Sequence, residues 1–143
     1  MIKVQKEDFS LESEMRDLCQ HQSELGAIVN FIGVVREGTG DKKISSMTLE
    51  HYPGMTERQL KRIEDEARAR WQLIDCLIIH RYGKLFPGDN IVLVLAASPH
   101  RAQAFQAAQF MMDFLKSRAP FWKNEETAQG SDWVEARQSD EDL

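Results

Sequence analysis

The sequence predicts an α+β fold, a mostly antiparallel sheet with helices packed on one face, in a single domain. Three observations predict it. The inferred element order is α-β-β-α-β-β-α-β-β, which offers strands in consecutive pairs rather than the strict strand-helix alternation of a doubly wound parallel sheet. Short connections rich in turn residues, LFPGDN and QGSD, join such pairs as hairpins. The 143 residues, 42% hydrophobic and 29% charged, suit one domain with a real core, and no repeat, low-complexity segment or linker divides them.

Each element has a local reason. In LESEMRDLCQHQ, Leu11, Met15, Leu18 and Cys19 recur at helical spacing. GAIVNFIGVVR is β-branched and aromatic, reads as a strand, and runs into the exposed turn-forming loop EGTGDKK. ISSMTLEHY is the next strand. After the PG turn, Thr56 and Gln59 match a capping box for a helix that points Leu60, Ile63 and Ala67 inward and stops near Trp71. LIDCLIIHRYG and NIVLVLAAS are two further strands. A helix from about Pro99 to Arg118 follows, with Ser98 as its cap, and Pro120 breaks it. FWKNEE and DWVEAR form a last hairpin.

Composition bounds the function. Net charge is -5, with three of the acids in the tail QSDEDL, which argues against a general nucleic-acid binder and leaves room for a local basic pocket. The apolar runs are too short to span a bilayer, and MIKVQKEDFS lacks the layout of a signal peptide, so a cytoplasmic location without membrane contact is expected. Cys19 and Cys76 form no CxxC pattern and are expected to be small buried hydrophobes. His21, His51 and His80 have no ligand spacing, so no metal site is expected.

Two cationic stretches stand out. In SPHRAQAF, His100 and Arg101 are expected in the first turn of a helix, where the dipole prefers acids. Either an anion such as phosphate sits there, or Arg101 is solvated and His100 packs neutrally. Arg36 closes the GVVR strand beside a glycine-bearing loop. In FLKSRAPFWKNEE, Lys116 belongs to a last helical turn, where the dipole alone accounts for a lysine. Lys123 follows Phe121 and Trp122 in an extended segment, with Glu125 on the same strand face.

The segments NFIGVVRE, LEHYPGMTE, IIHRYGKLFPGD, SPHRAQAF, FMMDFLKSRAPFWKNE and DWVEAR, in this order over residues 26 to 137, resemble the catalytic (large) subunit family of molybdopterin synthase. The resemblance implies an α/β hammerhead-type fold over residues 1–137, followed by an acidic tail, 138–143. It implies a homodimer that binds a small ubiquitin-like sulfur-carrier subunit at each outer end, forming a heterotetramer. The implied reaction moves sulfur from the carrier's C-terminal Gly-Gly thiocarboxylate to cyclic pyranopterin monophosphate, building the dithiolene of molybdopterin. No permanently bound cofactor is implied.

Carried onto matching positions, the resemblance gives Lys116 and Lys123 catalytic roles. It assigns Val34, Val35, Arg36, His100, Arg101, Lys116, Lys123, Asn124 and Glu125 to substrate binding, and Phe31, Met112 and Arg137 to shaping the pocket. Val34 stands where the family often has a bulkier polar residue, which leaves the backbone to make that contact. Two other classes remain: a non-catalytic module that binds an anionic metabolite or a partner's tail, and a single-strand RNA binder that the net charge opposes.

Overall fold

In the computed structural model, which describes residues 1–134, the chain runs β1 (Ile2–Gln5), α1 (Leu11–Cys19), β2 (Ala27–Val34), a 3-10 turn (Gly40–Lys42) and β3 (Ile44–His51). It continues through α2 (Met55–Arg70), β4 (Asp75–Arg81), β5 (Gly83–Leu85), β6 (Asn90–Ser98), α3 (Arg101–Ser117), β7 (Phe121–Thr127) and β8 (Gly130–Val134). The strands form two four-stranded sheets, β1-β4-β6-β2 and β5-β3-β7-β8. Every pairing is antiparallel except β1 with β4. The α+β expectation holds.

Strands β4 and β6 are the centre of the first sheet, and both of their faces are covered. Cys76, Ile78, Val92, Val94 and Ala96 face α2 and α3, packing against Leu60, Ile63, Ala67, Ala107 and Met111. The alternate residues Leu77, Ile79, Leu93, Leu95 and Ala97 face Leu11, Met15 and Leu18 of α1. The expectation of helices on one face is therefore corrected: they lie on both. The unbroken apolar runs of β4 and β6 carry that signal, because a strand solvated on one face alternates.

Two strands escape the sequence reading. β1 is four residues long and takes its register, Ile2 opposite Ile78, from a partner far along the chain. β5 splits off from the end of LIDCLIIHRYG because Gly83, at φ +94°, turns the chain into the second sheet, where Leu85 pairs with Met47. Leu85 then joins Val35, Ile44, Met47 and Leu49 in a separate small core.

Both expected helix caps move by a few residues. Gly54, at φ +89°, caps α2, and its N–H donates to the Glu57 carboxylate. Thr56 is instead buried; its hydroxyl accepts from the Tyr52 N–H (3.0 Å) and donates to the Pro120 carbonyl (3.1 Å), tying the start of α2 to the start of β7. At α3 the cap is His100 rather than Ser98. Ser98 ends β6, and its hydroxyl accepts the His100 N–H at 3.1 Å and donates to the Gln72 carbonyl at 2.8 Å. Cys76 is buried as expected, while Cys19 is only half-buried.

One buried charge holds the α2 side together. Burial opposes ionisation of Glu64, but hydrogen bonds from the Met1 ammonium, Arg68 and Lys61 outweigh it and hold its pKa at about 2, against 4.5 for a free side chain. The folded pKa lies below the unfolded one, so this stabilisation is complete above about pH 4.5 and is lost as pH falls toward 2. Its size is on the order of 3 kcal/mol. Glu64→Gln is expected to lower the urea midpoint at pH 7 and to flatten its decline between pH 5 and 3, as read by denaturant melts at about half-unit pH steps.

Candidate functional site

The two sheets meet along a cleft of about 700 Å³. β2 delivers one wall. Its ladder with β6 shifts register between Gly33 and Val34. Val35 then leaves the first sheet, donating its N–H to the Asp89 carbonyl and accepting the Gly88 N–H, each at 2.9 Å. This clamp onto the LFPGDN turn buries Val35 and sends Arg36 along the cleft. Lys116, in the last turn of α3, and Lys123 and Glu125, on β7, complete the far wall. Phe31, Val92, Ile91 and Met47 supply apolar surface.

The strand period sorts the FWKNEE residues. Lys123 and Glu125 share the cleft face of β7, opposite Leu49 and Met47 of β3. Phe121 lies on that face too, whereas Trp122 lies on the other, against Tyr52 at 4.6 Å. Asn124, opposite Thr48 and Trp133, is also on that outer face and does not line the cleft. Met112 is another departure from expectation. It is buried in the core under α3 rather than exposed to the cleft, because α3 turns that side toward β4 and β6. Arg137 and the tail lie outside the described residues.

His100 and Arg101 are not brought to this cleft. They line a second, shallower hollow of about 440 Å³ with Gly26, Pro99 and Ala102, at the N-terminus of α3. Ala27 pairs with Ser98 at that end of the β2–β6 ladder, and Val34 pairs with Asn90 at the other. Eight residues of strand separate the two sites by roughly 20 Å. Gly26 is needed at the hollow, since a Cβ there would overlap the Pro99 carbonyl oxygen.

Sequence reasoning missed two kinds of lining. Ile91 and Val92 reach the cleft from the central sheet and carry no signal of their own. Glu37, Gly38, Thr39 and Lys42 come from the EGTGDKK loop, whose adjacency to Arg36 was the available clue. Among the described residues, no three His, Cys, Asp or Glu side chains gather as metal ligands, and no helix is long and apolar enough to cross a membrane. Burial pushes both thiols above their usual range, with Asp75 adding to the effect at Cys19.

Behind the cleft, His80 stacks on Phe121 with ring centroids 3.6 Å apart, and its Nδ1 lies 2.8 Å from the Arg81 carbonyl oxygen. A carbonyl only accepts, so Nδ1 carries the proton. Burial, reinforced by the charges of Lys116 and His51, lowers the His80 pKa to about 4 against the pull of that hydrogen bond.

Within this two-sheet α+β fold, Arg36, Lys42, Lys116 and Lys123 converge on one cleft between the sheets. The lineage is specific: the family model for the MoaE protein matches residues 4–118, and the chain belongs to that family. It is 55% identical to the molybdopterin synthase catalytic subunit of Ralstonia nicotianae over 98% of this chain and 80% of that protein. The MoaE protein structure from Burkholderia ambifaria superposes with a TM-score of 0.83 at 44% identity, covering 97% of this chain and 91% of that one. The Staphylococcus aureus molybdopterin synthase structure superposes with a TM-score of 0.84 at 32% identity, covering 92% and 95%.

His80 is expected to stay neutral, protonated on Nδ1, from pH 8 down to about pH 5. Because its folded pKa lies below the unfolded value of 6.5, its contribution to stability is present above that value and fades as pH falls toward 4. Imidazole nitrogen shifts in a ¹⁵N NMR titration check both the tautomer and the titration range.

Proposed function

We propose that this chain is the catalytic subunit of a molybdopterin synthase. It transfers sulfur from the thiocarboxylated C-terminus of a small ubiquitin-like carrier to cyclic pyranopterin monophosphate. The observation that carries the reading is the convergence of Arg36, Lys116 and Lys123 on one apolar-floored cleft, in a chain whose relatives bear that name. Substrate phosphate and thiocarboxylate repel each other, and cations held in a partly desolvated cleft offset that repulsion.

In this mechanism the thiocarboxylate sulfur attacks a side-chain carbon of the pterin, forming a C–S bond and an acyl-sulfur link to the carrier while that carbon's C–O bond breaks and the oxygen leaves with a proton; a second carrier repeats the step at the neighbouring carbon. Water then attacks the acyl carbon. The acyl C–S bond breaks, the carrier leaves as a carboxylate, and sulfur remains on the pterin. Lys116 and Lys123 hold the thiocarboxylate and exchange protons with the reacting groups, and Glu125 orients Lys123 from two residues along the same strand face. Arg36 and the backbone of Val34 and Val35 hold the pterin, with Phe31 against its ring. Buried Cys76 and half-buried Cys19 need carry no sulfur. We assign the reaction to the cytoplasm.

The separation of His100 and Arg101 from the cleft makes a homodimer part of the reading. A second copy supplies those two side chains, and the open N-terminus of its α3, to the phosphate. Asn124, on the outer face of β7, supports the strand rather than touching substrate.

Incubating the protein with thiocarboxylated carrier and the cyclic pterin is expected to give a dithiolene product by mass spectrometry. Binding of both partners without product would favour a non-catalytic binding module. Lys116→Ala and Lys123→Ala are each expected to cut kcat by about 100-fold or more, with the melting temperature within about 2 °C of wild type. Near-normal turnover in both would remove the lysines from the mechanism. Mixing Lys123→Ala chains with Arg101→Ala chains and allowing subunit exchange is expected to restore about one quarter of wild-type turnover, because half the dimers are mixed and each holds one intact site. No recovery would place both residues in the same site of one chain.

A further inference from the structure

We infer that Lys42 is a substrate-binding residue, a second cation that acts with Arg36 on the phosphate of the pterin. The inference rests on the sulfur-transfer reading and extends its site to a loop that the sequence presents only as an exposed turn.

The β2–β3 loop holds two adjacent lysines and treats them differently. Lys43 places its Nζ 3.1 Å from the Glu37 carboxylate and does not line the cleft. Lys42 does line it, and among the described residues no carboxylate pairs with it. The loop is closed on itself. The Ile44 N–H donates to the Glu37 carbonyl at 2.8 Å, and the 3-10 turn is held by Lys42 N–H to Thr39 O and Lys43 N–H to Gly40 O, each 3.2 Å. Gly38, at φ +82°, lets the backbone pass close to the Lys42 carbonyl, which a Cβ would meet at 2.9 Å. The position of Lys42 is therefore built into the loop.

The cleft cations fall into two pairs by origin. Lys116 and Lys123 come from α3 and β7, whereas Arg36 and Lys42 come from the end of β2 and the loop that follows. A transfer between two anionic reactants needs each screened on its own side. With the thiocarboxylate on the lysines of α3 and β7, Arg36 and Lys42 are the cations of this cleft left to meet the pterin phosphate from its own side, opposite His100 and Arg101 of the second copy; one is a guanidinium that gives directed hydrogen bonds, the other an ammonium that acts as a point charge.

The test is isothermal titration of cyclic pyranopterin monophosphate into the full chain complexed with carboxylate-ended carrier, with inorganic phosphate as competitor, beside steady-state turnover. Lys42→Ala is expected to raise the pterin Kd and KM about fivefold to tenfold, to weaken phosphate competition, and to leave kcat and carrier affinity within about twofold. Lys42→Arg retains most of the affinity, Lys43→Ala is unchanged, and Gly38→Ala reproduces the loss by displacing the Lys42 segment. An unaltered Kd for Lys42→Ala, an equal loss in Lys43→Ala, or a loss of carrier affinity in place of pterin affinity would overturn the assignment. Pterin binding by wild type without product would defeat the sulfur-transfer reading alone, and the Kd comparison would still decide Lys42. If wild type failed to bind the pterin, both would fall.

Discussion

The structure depends on the antiparallel pair β4–β6 being buried on both faces. Leu77, Ile78, Ile79, Leu93, Val94 and Leu95 are each at most 1% exposed, so neither strand can slip register without sending apolar side chains to the wrong layer. β1 adds to the free edge of β4 and β2 to that of β6; α1 closes one face, and α2 with α3 closes the other. Each neighbour thereby inherits a fixed height and direction. Burying such side chains contributes roughly 1.5–3 kcal/mol each relative to exposure, the scale on which a single domain's net stability is set.

The cleft follows from how the chain leaves that rigid pair. β2 exits through its register shift, and Val35 is clamped to the turn that starts β6, so Arg36 is held by the core although it lies at the surface. α3 runs back along the sheet and carries Lys116 in its last turn; Pro120 follows, and Thr56 fixes the Pro120 carbonyl. β7 then starts with Phe121 stacked on His80, which sets the strand face that carries Lys123 and Glu125. His80 is well suited to this place. A second cation beside Lys116 would repel it, and burial keeps the imidazole neutral.

A chain of net charge -5 thus gathers Arg36, Lys42, Lys116 and Lys123 around one hollow, with Glu37 and Glu125 in the same lining. Overall acidity and a local cationic site are compatible because a few ångströms of low-dielectric wall outweigh distant, screened charges. The N-terminus of α3 makes a second cationic place without any acid in its first turn. The ladder of β2 and β6 keeps it at the opposite end of those two strands from the first.

Much of this was legible in the chain. Helical spacing marked α1 and the inward face of α2, β-branched runs marked β2, β3, β4 and β6, and Pro120 marked the break before β7, because these signals arise from neighbours a few residues apart. The family motifs pointed to Arg36, Lys116, Lys123 and Glu125, which the structure does bring together. Other features depended on partners far along the sequence. These include the parallel seat of β1, the diversion of β5 at Gly83, helices on both faces of one sheet, and Thr56 recruited as a buried tie instead of a cap. The exclusion of Asn124 and Met112 from the cleft, the entry of Lys42, and the distance between Arg36 and Arg101 have the same origin. Local sequence sets which conformations and side chains are available, whereas which faces meet is settled only when the β4–β6 core fixes every strand's register and side.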